Sequence, residues 1–536
     1  MSAPAATAPA HSPITTHPLI GVAGVLFGAM IATCTGRLIS VGLADLRGGL
    51  HLGFDEASWI STAFNAAQMF IGPFSVYLGG LLGARRVLLA CALAFTLISI
   101  AIPFAPNVPV LLILLVLAGL TAGTFYPLTL SFVLRNLPMR YVLLGIAMYA
   151  MDVVFTTNVA TWLEAWYMEH LSWHWIFWSG AIATPLMMVL THFGIPWQPL
   201  PTPKPGQPKP NWRGFLYGSL GFSLLYIALD QGQRLYWFNS GVIVALTVSG
   251  LFLLLMTVVR RLTEPNPLVN LKFLLQRNVL LLGVVLIIFR FVMLATVVSI
   301  PSYLGTVQGY LPLQTGPVML WVGAPQIICG LIAMYSLKYV DARLILTFGF
   351  TLVAIACVLN AHLSSAWSGL NFGFPQAVMA IGLAFAFNGM VGAIVLEVIN
   401  TGALSRPIDT LTFAGFFQTA RLFGGEAGAA FMGHFIPTRE QFHSNILGLN
   451  VQLGQPATDH RLLGLGIGLE SQSAGLPAAA GRAAEILSLQ VRRQAFTLAI
   501  TDSFLLIAMS AVCCLVVVAC MAPVPKQYRE IIHAQA

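Results

Sequence analysis

Fourteen stretches of mostly apolar residues fill this 536-residue chain, at 18–44, 57–82, 86–105, 109–135, 140–167, 173–195, 213–230, 237–259, 278–304, 313–337, 343–362, 372–398, 407–435 and 495–521. A helix needs roughly 20 such residues to cross the hydrocarbon of a bilayer. The runs are too long and continuous for the alternating ten-residue strands of a membrane barrel. In hydrocarbon every backbone N–H and C=O must be satisfied within the protein, and a helix does this by itself. Charged residues make up 8% of the chain and hydrophobic residues 57%, against about 25% charged in a soluble domain. A single water-soluble core is excluded. The sequence reads as an all-α polytopic membrane protein with fourteen transmembrane helices.

Basic residues crowd into alternate connections: Arg85 and Arg86, Arg135 and Arg140, Lys204, Lys209 and Arg213, Arg260, Arg261, Lys272 and Arg277, Lys338 and Arg343, Arg406, and Lys526 and Arg529. Short loops on the other side hold only Arg47 and Arg234. The basic side is therefore read as cytoplasmic, with both termini on it. Residues 1–17 carry no Lys or Arg, so the basic start of a secretory signal is missing and the first apolar stretch is read as a retained helix. The net charge of +8 reflects this bias; scattered over many loops, it is no nucleic-acid patch. All seven cysteines fall within the apolar stretches, which implies neither a disulfide framework nor a metal site.

The Pro- and Lys-rich segment 196–212 divides the chain as an extended, semi-rigid linker. Before it come the tail 1–17 and six spans in 18–195. After it come two spans in 213–260, a short connection 261–277, six more spans in 278–521 and a tail 522–536. The loop 437–493 is the one large segment on the outer side, with a helix expected over 478–496. It either covers the outer mouth or touches an external partner.

Several segments carry a family resemblance: ALDQGQRLYWFNS (228–240), NPLVNLKFLLQRN (266–278), GYLPLQTGPVML (309–320), FPQAVMAIGLAFAF (374–387), FQTARLFGGEAGAAF (417–431) and RRQAFTLAITDSF (492–504). In this order on a 6+2+6 plan, the chain resembles the fourteen-span drug:proton antiporters of the major facilitator superfamily, the EmrB/QacA type. That resemblance implies the major facilitator fold: two six-helix bundles related by an axis along the membrane normal, a site near the midplane between them, and alternating access by rocking. Spans seven and eight would lie outside that core. The resemblance also implies a periplasmic membrane-fusion adaptor and an outer-membrane channel as partners, and the proton gradient in place of any cofactor.

The chain departs from the family pattern at telling places. Its gating loop after span two, LGGLLGARRVLL, keeps Gly83, Arg85 and Arg86 but has Gly80 where an acid is usual. The equivalent loop after span ten keeps Asp341 and Arg343. Thr35 replaces the usual Asp of span one, Leu115 the usual Arg of span four, and FTTNVATWLE (155–164) the antiporter motif of span five.

Charges inside spans are costly and mark function. Arg37 in span one and Asp152 in span five are read as relocated members of the family's Arg and Asp, paired with each other, with Glu164 a rival partner. Arg290, Arg421, Glu426 and Asp502 form a second set, with Arg421 facing either Glu426 or Asp502. Glu426 is a protonatable candidate for coupling. Glu397 and Asp409 are read as interfacial, and Asp230 as structural. Phe64, Tyr126, Tyr149, Phe155, Trp321 and Phe387 are candidate linings of a pocket for a flat lipophilic ligand. His170 and His174 fit an interfacial turn better than a metal site.

The leading function is proton-driven export of small lipophilic or aromatic compounds, with a slight preference for weak acids given the three buried arginines. The alternative is a proton-independent or uptake transporter of a small organic anion. A polytopic membrane enzyme is remote, because no nucleophile stands beside a base. No GxxxxGK[ST] loop is present to support direct ATP drive.

Overall fold

The computed structural model describes residues 18–136, 139–197, 212–263, 271–402, 407–472, 475–523 and 527–533. The linker bearing Lys204 and Lys209, the tail 1–17 and most of the connection between 263 and 271 lie outside these residues. The first segment holds α1 (Pro18–Val41), the short α2 (Leu43–Gly49), α3 (Phe54–Leu82), α4 (Ala84–Ala101), α5 (Val108–Ala122), α6 (Phe125–Asn136), α7 (Met139–His170) and α8 (Trp175–Gly194). Two helices follow, α9 (Arg213–Gly232) and α10 (Gly241–Thr263). The last segment holds α11 (Leu271–Leu274), α12 (Arg277–Gln308), α13 (Pro312–Gly323), α14 (Gln326–Leu337), α15 (Ala342–Asn360), α16 (Gly373–Asn400), α17 (Pro407–Gly448), α18 (Pro456–Leu469), α19 (Leu476–Ala519) and α20 (Tyr528–His533). No strand occurs among the described residues.

Among the described residues, eleven helical segments are apolar and long enough to cross a membrane by composition. Three other long helices, α3, α9 and α17, fall outside that set. These three pack on one another and carry polar side chains inward: Ser61, Asn65 and Gln68 on α3, Asp230 and Gln231 on α9, Gln418, Arg421 and Glu426 on α17. Their lower hydropathy is thus the signature of a polar interior.

The N-terminal helices pack as α1 against α6, α7 and α8, α4 against α5 and α8, and α3 against α5. The C-terminal ones pack as α12 against α17 and α19, and α15 against α16 and α19. Two seams join the halves. On one, α7 meets α13 and α14. Gly316, Gly323 and Gly330 repeat every seven residues there, and a Cβ on Gly316 or Gly330 would come within 2.9 Å or 2.2 Å of α7 atoms. Small residues at this spacing let two helix backbones approach closely. On the other seam α3 meets α17, and α9 packs against both. Spans four and ten are each broken in two, at Gly123–Thr124 and at Ala324–Pro325.

Span seven does not lie outside the core, as the resemblance implied; it wedges into the second seam. Of the two helices, α10 is the peripheral one, 11% of its apolar window being buried. It is held to α9 by the close approach of Gly221 and Gly250, where a Cβ on Gly221 would meet the Gly250 oxygen at 2.9 Å.

The loop expected over 437–493 is mostly helix. At 42 residues, α17 runs on through Pro437 to Gly448, a length of about 63 Å against a hydrocarbon core of about 30 Å. The 44-residue α19 begins at Leu476, slightly before the expected helix, and α18 packs on it. Both long helices protrude well beyond a bilayer.

Candidate functional site

A cavity of about 320 Å³ opens where α1, α3, α7, α9, α12 and α17 meet. Arg37, Arg290, Arg421, Glu426, Asp230 and Tyr226 line it, with Ser61, Asn65 and Gln68 along one wall. It extends from Arg421 and Gly425, well inside α17, to Leu43 at the start of α2 and Asp230 near the end of α9, at the end opposite Arg85.

Asp230 and Glu426 interact directly, side chain to side chain. Tyr226 Oη donates to Glu426 Oε2 at 2.6 Å, and Thr62 donates to Asp230. The end of α9 is fixed onto α3 from outside: Gln231 Nε2 donates to Thr62 Oγ1 at 2.5 Å and to the Ser58 carbonyl at 3.0 Å, and Arg234 pairs with Asp55 at 2.5 Å. These bonds hold Asp230 against Glu426. A carboxylate only accepts hydrogen bonds, so a bond between two carboxyls requires a proton on one of them.

Arg37 faces this pair, interacting with Glu426 and Tyr226. Its Nε is buried without a hydrogen-bond partner. Arg290 donates from Nε to the backbone oxygen of Arg421 at 3.1 Å. The Arg421 guanidinium stacks 3.7 Å from the centroid of the Tyr126 ring, and its Nε donates to Gln418 Oε1 at 3.1 Å. Tyr126 and Tyr149 lie 4.5 Å apart, and Tyr149 contacts Phe417. This aromatic layer packs behind Arg421, outside the lining of the cavity.

Several expected pairings do not form. Arg37 does not meet Asp152. Asp152 lies thirteen residues into α7 and Arg37 nineteen into α1, a difference of about 9 Å along the helix axes. Asp152 instead accepts from Thr156 Oγ1 at 2.9 Å and interacts with Arg421. Glu164 meets Asp45 of α2, not Arg37. Arg421 pairs with neither Glu426 nor Asp502. Asp502 sits apart, accepting from Arg439 Nη2 at 2.6 Å and His443 Nε2 at 2.7 Å on the protruding part of α17.

None of the six aromatic candidates lines the cavity. Phe64, Tyr126 and Tyr149 are buried packing residues, Phe387 stacks on Phe289 at 4.8 Å, Phe155 is half-buried in α7, and Trp321 is exposed on the outer surface. His170 and His174 stack on Trp166 and Trp173. No cluster of three or more His, Cys, Asp or Glu that could hold a metal occurs among the described residues. Glu397 accepts from Asn278 at 3.1 Å, and Asp409 is buried.

Asp230 and Tyr226 were not recognised as site residues. Their i, i+4 spacing on one face of α9 was the available signal, as was the i, i+4, i+7 stripe of Ser61, Asn65 and Gln68 on α3.

At the basic end the two loop motifs are built differently. Gly83 has φ +86° and joins α3 to α4. Arg85 donates to the Ile195 carbonyl at 3.2 Å, and Arg85 and Arg86 both lie over Trp197, at 5.7 Å and 4.3 Å. Asp341 caps α15 by accepting from the Arg343 backbone N–H at 2.9 Å and pairs with the Arg343 guanidinium at 2.9 Å. Burial alone would raise the Asp341 carboxyl, but its bonds to Arg343 outweigh this and hold it below the usual range.

The family model described as Major Facilitator Superfamily matches residues 25–429. The chain is 26% identical over 430 residues to "Probable multidrug resistance protein EmrY" of Escherichia coli (strain K12), covering 78% of this chain and 80% of that one. It is 25% identical over 449 residues to "Multidrug export protein EmrB" of the same organism, covering 82% and 84%. The solved structure of the proton:xylose symporter XylE bound to 6-bromo-6-deoxy-D-glucose superposes with a TM-score of 0.56 at 12% identity, covering 97% of this chain and 99% of that one. The all-helical fold, the polar cavity between its two halves and these likenesses agree: the chain belongs to the major facilitator superfamily and is a multi-pass membrane transporter rather than an enzyme.

Proposed function

We propose that this protein exports small lipophilic compounds by exchange with protons, and that the Asp230–Glu426 pair is where the proton binds. One observation carries the reading: two carboxyls meet at membrane depth inside a cavity that also holds Arg37, Arg290 and Arg421. Buried charges are costly, and this concentration is sustained only where charges compensate one another or a ligand.

With one proton, the pair is joined by a hydrogen bond and Arg37 answers its remaining charge. Loss of the proton turns the contact into repulsion between two anions and loosens α9 from α17. A ligand that favours the loosened arrangement then exchanges against the proton, since both bias one conformational equilibrium. Three arginines in the cavity suit an anionic or weak-acid aromatic substrate. The relatives named as multidrug proteins support the export direction.

In this reading the chain has fourteen spans in a 6+2+6 order. α5 with α6 and α13 with α14 each form one span, and α3, α9 and α17 add three to the eleven more apolar ones. Both termini are cytoplasmic in the inner membrane. The protruding parts of α17 and α19 face the periplasm, where an adaptor leading to an outer-membrane channel would dock. The cavity then extends toward the periplasm above the Tyr126–Tyr149–Phe417 layer.

The test is proton movement in proteoliposomes enclosing a pH dye, with lipophilic cations and aromatic weak acids added in turn. Protein-free liposomes correct for passive weak-acid permeation. Substrate-specific proton flux that disappears in Glu426→Gln supports the reading. Substrate movement without proton flux overturns the coupling.

A further inference from the structure

A second cavity, of about 440 Å³, lies beside the first but shares none of its character. α3, α9, α10, α11, α12 and α17 all contribute to it. Its walls are Phe215, Phe222, Leu254, Val258, Ile287 and Phe416, with Gly214, Gly218 and Gly415 leaving the space open. The volume falls within the ~300–1,000 Å³ of small-molecule sites. The lining comes from the early residues of α9 and the late residues of α10, so the groove occupies the basic half of the membrane.

Two features at that end are not apolar. Arg213 starts α9 and is exposed. Arg260, near the end of α10, lies over the Tyr217 ring at 5.3 Å, and its Cβ would be 3.8 Å from a Cβ on groove-lining Gly214. The groove thus begins beside two arginines. Deeper in, about 9 Å along α9 from Arg213, groove-lining Ser219 is 3% exposed and its hydroxyl has no hydrogen-bond partner. A buried hydroxyl without a partner is unusual.

We infer that this groove binds an anionic phospholipid of the adjoining leaflet, its phosphate at Arg213 and Arg260, one acyl chain in the groove and an ester carbonyl at the Ser219 hydroxyl. Basic residues at the leaflet surface between helices select anionic headgroups. The chemistry along the groove runs from cations at its mouth to the unpartnered Ser219 hydroxyl, with walls that apart from Thr257, Thr412 and Thr419 are apolar, and this follows the order of such a lipid from phosphate to chain.

The far end reaches Phe222 and Phe423, whose ring centroids are 6.1 Å apart. Both pack against Tyr226, Leu422, Ala66 and Met69, and Tyr226 and Leu422 line the polar cavity. The bound chain therefore supports α9 in the position from which Tyr226 reaches Glu426.

The experiment uses the purified full-length protein in detergent, with phosphatidylglycerol or phosphatidylethanolamine of identical chains added at equal mole fraction. Thermal unfolding and retained lipid by native mass spectrometry are read. The wild type should unfold at higher temperature with phosphatidylglycerol than with phosphatidylethanolamine and retain the former preferentially. In Arg213→Gln/Arg260→Gln that preference should fall about thirtyfold, as expected for removing two surface cations, while either lipid still stabilises through its chain. Ser219→Ala should weaken retention of both lipids, since both carry the ester. Gly218→Leu, which fills the groove, should retain neither. Equal stabilisation of the wild type by both lipids means bulk lipid alone fills the groove and overturns the inference. So does a phosphatidylglycerol preference that survives the double arginine substitution, a change at helix ends that does not touch the packed core.

Discussion

Asp230 of α9 and Glu426 of α17 meet side chain to side chain, although 196 positions separate them. The contact makes α9 part of the cavity wall, and in the proposed function part of the transport site. It is supported from three directions: Thr62 on Asp230, Tyr226 on Glu426 and Arg37 across the cavity.

Glu426→Gln should therefore abolish proton flux in proteoliposomes, and Asp230→Asn should reduce it at least about tenfold, the equivalent of ~1.4 kcal/mol. Tyr226→Phe removes one hydrogen bond to a charged group, worth about 1.5–3 kcal/mol, and should change the pH dependence of transport without abolishing it. An unchanged pH profile in all three variants would remove the pair from the coupling step.

Why this pair was hidden in the sequence is itself physical. The apolar runs and the alternation of basic loops made the helical, membrane-spanning architecture legible, since hydrocarbon leaves few options for a backbone. Arg37, Arg290, Arg421 and Glu426, which line the cavity, stand out in the sequence because charge inside an apolar run is anomalous wherever it falls. Asp230 reads as structural because it ends span seven, outside the core that the resemblance implies. Its role depends on how α9 packs between α3 and α17, and one-dimensional hydropathy carries no information about that. The Arg37–Asp152 pairing failed for a related reason: pairing opposite charges on two helices ignores the depth at which each lies. The aromatic candidates failed because a large ring in a span serves packing as readily as a pocket, and only helix rotation distinguishes the two.

Arg37 is the cation facing the carboxyl pair, and its Nε has no hydrogen-bond partner. Truncation by Arg37→Ala removes a charge held against Glu426 without breaking a direct bond. Because Arg37 compensates the charge of the pair, its removal should also lower thermal stability, so transport is compared at equal amounts of folded protein. Transport of an aromatic weak acid should fall at least about tenfold, with Arg37→Lys restoring part of it. Normal transport by a normally folded Arg37→Ala protein would assign the residue to packing alone.

Asp341 provides a pH-dependent contribution outside the membrane. Its carboxyl is held below the usual range by Arg343 despite burial. A depressed folded-state value stabilises the fold above the unfolded value of about 3.9 and loses that stabilisation as pH falls through the folded one. The difference in unfolding temperature between wild type and Asp341→Asn should be largest at and above about pH 5, and correspond to ~1 kcal/mol for the hydrogen bonds lost. It should shrink progressively below about pH 4. A difference that grows on acidification would reverse the sign and refute the assignment.

Gly83 sets the geometry of the other loop. With φ +86° and ψ 132° it ends α3 and starts α4, a backbone region that residues with a Cβ rarely enter. Gly83→Val should cost about 1–3 kcal/mol through strain at this one residue. The consequence reaches further than stability. Arg85 and Arg86 follow within one turn, and their contacts to Ile195 and Trp197 tie α4 to the end of α8. If the turn relaxes to negative φ, α4 starts in a different direction and both guanidiniums leave the Trp197 ring. The Val variant should then show increased fluorescence change or quencher access at Trp197, measured with the other ten tryptophans subtracted through a Trp197→Phe reference, together with slower transport. Trp197→Phe alone, which keeps the turn, should retain the stability lost in Gly83→Val. Equal losses in the two proteins would place the effect in the ring contact and not in the backbone of Gly83.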